Sequence, residues 1–202
     1  MVTGLTVKTF ERLQLNAGVF LKEFDWTKYA TLEALDAAIA EAIESDANRM
    51  GATRGGGTFS ATPETRNIEA DGKRYNFVGS TVYDSWDIKM TGTLLEVTAE
   101  NVRDVLSCAD IENKNGEVKV LTLRTQPKEE DYMQLVWVGD TSKGLVLIEL
   151  KNALNTAGMQ FTFADKNEGT LPFEFHAHQD NVTDYDVAPV SIVFLEKSDA
   201  PV

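Results

Sequence analysis

The chain has 202 residues, 43% of them hydrophobic, and a formal net charge of −13. That apolar fraction excludes wholesale disorder, and no apolar run approaches the roughly 18 residues of a membrane span. An acid surplus without clustered Lys and Arg argues against a nucleic-acid-binding protein, because phosphate contacts need such clusters.

The length suits a single domain over residues 1–202, and no linker, repeat or domain boundary is visible. The lone cysteine, Cys108, has no partner for an internal disulfide, and the N-terminus lacks a basic cap followed by an apolar stretch. Both features point to synthesis in a reducing cytoplasm.

Residues 1–16 alternate weakly and read as an N-terminal arm or edge strand. Ala17 to Phe24 reads as the first good strand. Thr31 is placed to cap a helix whose Leu32, Leu35, Ile39, Ala42 and Ile43 share one face, with Glu33 and Asp36 near its positive end. From Ser45 to Gly57 the pattern dissolves into a flexible glycine-rich loop ending in Gly55, Gly56 and Gly57, residues that lose the most backbone entropy on ordering. A strand over Thr58 to Glu69 leads into the Asp71-Gly72 turn.

Ser80 to Val97 alternates as a long strand, with Val82, Trp86, Ile88, Met90 and Leu94 on the core side. Thr98 caps a short second helix, Ala99 to Ala109. After the Asn115-Gly116 turn come strands Glu117 to Arg124, Tyr132 to Val138 and Leu145 to Leu150. The last two are apolar on both sides, as central strands covered on each face should be. Met159 to Ala164, Leu171 to Asp180 and Val190 to Leu195 complete about ten strands. The fold class is therefore mainly β, a β-sandwich or partly closed barrel with a flanking α-helix and a second short helix.

Catalytic chemistry finds little support. The glycine run matches no phosphate-binding pattern and is followed by a strand rather than a helix. Glu174, His176, His178 and Asp180 share one side of a strand, where His-x-His is a workable metal pair; with Leu171, Phe173, Phe175 and Ala177 opposite, a plain polar face is the preferred reading. Cys108 has no basic sequence neighbour to make it a thiolate and reads as packed. Trp86 and Trp137 sit among apolar neighbours and read as core, while Trp26 is harder to place. No catalytic residue, metal ligand or cofactor is assigned, and the chain is read as a non-enzyme.

The run GATRGGGTFSATPETRNIEADGKR from Gly51 to Arg74 resembles the tail tube (major tail) proteins of long-tailed bacteriophages and prophages of Gram-positive bacteria. NAGVFLKEFD from Asn16, DSWDIKMTGTLLEVTAENV from Asp84 and LIELKNALNTAGMQFTFADKNEGTLPFEFHAHQD from Leu147 follow the same order and extend the resemblance over most of the chain. Residues 31–45 stand apart from it as a possible insertion. The resemblance implies a structural virion protein that self-assembles into stacked hexameric rings, a hollow conduit for DNA delivery. It implies no cofactor. Its implied partners are further copies of itself and other tail proteins, such as tape measure and tail terminator, with double-stranded DNA passing without specific binding. The implied location is the virion tail, assembled in the bacterial host cytoplasm.

Within that reading the segment 45–57 is the candidate stacking loop, with Arg54, Gly55, Gly56 and Gly57 as inter-ring contacts. Six copies would carry about −78, part of it facing the lumen, where screening acts over about 8 Å. Candidate lumen acids are Asp84, Asp87, Glu174 and Asp180. The alternative is a carbohydrate-binding β-sandwich, resting on the aromatic content and strand count.

Overall fold

A computed structural model describes residues 4, 6, 9, 13, 14, 16–45, 48–161, 165, 166, 168–180 and 186–196. Among them nine strands and two α-helices form, in chain order β1 (Val19–Lys22), α1 (Leu32–Glu44), β2 (Thr53–Asn67), β3 (Thr81–Leu94), α2 (Ala99–Leu106), β4 (Ala109–Lys114), β5 (Val118–Leu123), β6 (Met133–Thr141), β7 (Gly144–Asn155), β8 (Leu171–His176) and β9 (Val190–Glu196). The strands pair antiparallel and do not close into a barrel, so the architecture is sandwich-like with a flanking helix. Most of the arm expected over residues 1–16 lies outside the described residues; Leu13 and Gln14 run beside Thr141 and Ser142.

The long strand β7 is the corner of the sandwich. Its first half lies between β6 and β9, and its last residues, Leu154 and Asn155, pair with β8. Between these halves β7 carries one more residue than β6, and Asn152 takes φ +46°. An extra residue in one strand bends it, which carries β7 from one sheet into the other. One sheet is thus β1-β6-β7-β9, and the facing sheet runs from the end of β7 through β8 and β3 to β2.

The period-two pattern then explains two cores. Phe20, Leu135 and Leu150 point inward to meet Ile88, Met90, Leu94, Leu171, Phe173 and Phe175 of the facing sheet. Their alternates Leu21, Val136, Val138, Leu145 and Leu147 point outward, where Leu35 and Ile39 of α1 cover them. The helix forms because its apolar residues recur on one face and Thr31 accepts a hydrogen bond from the Ala34 amide, satisfying an otherwise orphaned donor. Strands β6 and β7 are covered on both faces, as expected.

Four expectations need correction. The glycine run is not loop: β2 begins at Thr53 and includes all three glycines. The second helix stops at Leu106, where Ser107 turns left-handed at φ +54°, and Ala109 opens β4 instead. No strand forms over 159–161, and residues 162–164 lie outside the described residues. Finally, β8 ends at His176, so His178 and Asp180 leave the strand that was expected to carry them.

Candidate assembly surfaces

The glycines make a bulge. Between the pairs Thr53↔Leu94 and Gly57↔Gly92, β2 spends four steps against two on β3, and Gly55 and Gly56 absorb the excess at φ +77° and +74°. Side chains rarely adopt such angles, so glycine is the residue that fits. Gly57 answers a different need. A Cβ there would come 2.7 Å from both the Phe20 ring and the Thr91 carbonyl oxygen.

The bulge opens a cleft of about 350 Å³ at one end of the sandwich, floored by Gly55–Gly57 and walled by Phe20, Phe59, Met90, Trp137 and Ile148. Among the described residues lining it, none is charged. Arg54 turns away to Glu168 across 2.6 Å, and this hydrogen bond holds the Glu168 carboxyl below its usual range.

From the cleft an apolar row crosses the sheet. Trp137, Ile148 and Ile192 are successive cross-strand partners, with Phe194 beside Val146 in the next row. Among the described strands β9 pairs only with β7, and the facing sheet does not reach it; Ile192 is 50% and Phe194 67% exposed.

At the opposite end β2 and β3 leave the sandwich. Beyond Ile88 the ladder is two-stranded, and a bulge at Asp84 (Glu64↔Ser85, then Thr65↔Tyr83) breaks the alternation read from the sequence. Trp86, expected in the core, lies beyond the end of β8, so it is 51% exposed, and it stacks on Tyr83 with centroids 5.6 Å apart. The connecting segment turns at Ala70–Lys73 and displays Ile68, Tyr75 (78% exposed), Phe77 (65%) and Val78. Sequence reasoning assigned no element to 73–79; three large apolar residues, Tyr75, Phe77 and Val78, between Gly72 and Gly79 were the available signal. A lone two-stranded hairpin is marginal in water, and an exposed apolar cluster on it marks a contact surface.

The acids are dispersed. Asp84 pairs with Arg66 at 2.9 Å. Asp87 and Glu174 are brought together on the outer polar face of β3 and β8, bridged by His176 and flanked by Lys89. Glu174 is held below its ordinary value, first by the His176 hydrogen bond and then by Lys89. Asp180 lies elsewhere, beside Glu149, Lys151 and Asn152. His178 packs edge-on to Tyr132 with Nδ1 3.2 Å from the Asn152 carbonyl oxygen, apart from His176. Among the described residues no group of three or more His, Cys, Asp or Glu is arranged to hold a metal ion. Cys108 donates to the Arg124 carbonyl oxygen at 3.3 Å. Trp26 donates its indole N–H to the buried Glu149 at 3.0 Å and packs under α1, so it presents no open platform.

The sequence matches no protein-family model and no curated protein. Among solved structures, a chain in the virion of a native gene transfer agent particle is similar to 90% of this chain and 100% of that one, at 11% identity and a TM-score of 0.44.

Proposed function

We propose that this chain is the tube-forming structural subunit of a phage-type tail. In this reading, six copies close into a ring, rings stack into a hollow conduit, and DNA passes through without specific binding. The observation that carries self-assembly is the β2–β3 hairpin, which leaves the sandwich as a bare ribbon with an apolar tip. Two strand edges, β2 and β9, lie on different sheets, which suits a heterologous contact that closes or propagates rather than a two-fold dimer. The hexamer, the lumen and the tail partners come from the sequence resemblance. Asp84, Asp87, Glu174 and Asp180 remain the lumen candidates, with Asp84 ion-paired to Arg66 and Glu174 to Lys89.

The test is a concentration series by sedimentation, with negative-stain electron microscopy of the heaviest fraction. Rings or tubes are expected. A monomer at every concentration and ionic strength overturns the reading.

The exposed Tyr83–Trp86 stack favours a second reading, a carbohydrate-binding sandwich, because aromatic faces flanked by polar side chains suit sugar rings. Glycan-array binding that Trp86→Ala abolishes, in a chain that stays monomeric, would establish it instead.

A further inference from the structure

We propose that Asn115 is a site of spontaneous deamidation through its bond to Gly116, and that the Asn113 side chain sets the rate. The inference is independent of the assembly reading, because the reaction needs only water and the folded chain.

The backbone nitrogen of Gly116 attacks Cγ of Asn115. The N–Cγ bond forms, the Cγ–Nδ2 bond breaks, and ammonia leaves with the proton that Gly116 gives up. Water then opens the cyclic imide. Opening at Cγ gives aspartate; opening at the main-chain carbonyl gives isoaspartate, in which the chain runs through the side-chain carbon. A side chain on the attacking residue crowds that ring, and glycine has none. Asn115-Gly116 is the single Asn-Gly pair in the chain.

The fold leaves this pair open to attack. Asn115 and Gly116 stand where β4 turns into β5, at the tip of a separate two-stranded sheet. Both are exposed and both are left-handed, at φ +69° and +78°. Nothing lies within 4 Å of the place a Cβ of Gly116 would take. Among the described residues no hydrogen bond holds the Asn115 carboxamide.

One contact opposes the reaction. The Gly116 N–H donates to Oδ1 of Asn113 at 3.0 Å. That bond keeps the proton on the attacking nitrogen and keeps the nitrogen in the turn, so it must break before the ring closes. A two-stranded ladder frays at its tip, and each opening frees the nitrogen. The product adds a negative charge to a tip that already carries Glu112 and Glu117. Its isoaspartate form also lengthens the backbone of the turn that closes the hairpin.

The test holds the full chain in mildly alkaline buffer and maps it at intervals by proteolysis and mass spectrometry. Asn115 should convert to aspartate and isoaspartate at least tenfold faster than Asn76, an exposed asparagine followed by Phe77. Equal rates overturn the site. Asn113→Ala should raise the Asn115 rate by about threefold to tenfold, the worth of one net hydrogen bond. Asn113→Asp keeps an acceptor oxygen and should restore a rate close to that of the unaltered chain. In urea, where the turn is lost, all three chains should react alike, and the unaltered chain faster than when folded. A folded Asn113→Ala chain no faster than the unaltered one overturns the role of Asn113. So does an unaltered chain that reacts no faster in urea.

Discussion

Nδ1 of His176 lies 2.8 Å from Oδ1 of Asp87, tying β8 to β3 across the polar face of the sandwich. The other ring nitrogen is 2.9 Å from Oε1 of Glu174, which also accepts from Lys89 at 3.1 Å. A ring protonated on both nitrogens donates to both carboxylates, whereas a neutral ring donates to one. Two acids proposed for a lumen wall thus belong to a small ionic network.

That network makes acid sensitivity testable. Glu174 is depressed, so its contribution is present above the unfolded-state glutamate value near 4.3 and is lost as pH falls through the lower folded value. The side chain is about a third exposed, which limits the effect. Glu174→Gln is expected to lower Tm at pH 7 by about 1–3 °C and to leave it unchanged near pH 2. Thermal melts across that range check it; an equal deficit at both ends would refute the electrostatic cause.

Close packing around Gly92 sets a second expectation. It pairs with Gly57, and the Phe173 ring, T-stacked on Phe20 at 5.2 Å, occupies the place of a Cβ: a carbon added at Gly92 would come 2.5 Å from that ring. Gly92→Ala should therefore cost about 1–3 kcal/mol by overpacking, read from the urea midpoint.

Asn155 sits at the end of β7 and is 4% exposed. Its amide donates to the Val105 and Gly158 carbonyl oxygens, and its oxygen accepts from the Glu174 N–H at 2.8 Å. One side chain thus joins α2, β7 and β8. Asn155→Ala leaves buried backbone groups unpaired and should cost about 2–3 kcal/mol. Asn155→Asp, which keeps the acceptor but not the donors, should recover little of it in the same denaturation experiment.

Assembly should respond to salt. Bringing together chains of −13 is opposed by repulsion whose range shrinks from about 30 Å at 0.01 M to about 8 Å at 0.15 M. Light scattering should show faster growth at the higher ionic strength. Identical rates would mean that apolar contacts alone govern association.

Local chemistry in the sequence was enough for the caps at Thr31 and Thr98, the apolar face of α1 and the doubly covered strands β6 and β7. Each depends on neighbours within a few residues or on a period that burial imposes directly. Trp86 shows the limit. Alternation says which side a residue takes, not whether another sheet lies there, and β8 has ended before β3 reaches Trp86. The bulges at Gly55–Gly56 and Asp84, the bend of β7 at Asn152, and the cleft and hairpin tip at opposite ends of one ribbon were decided by strand register. Register is a relation between segments far apart in the chain, and only the folded sheets bring those segments side by side.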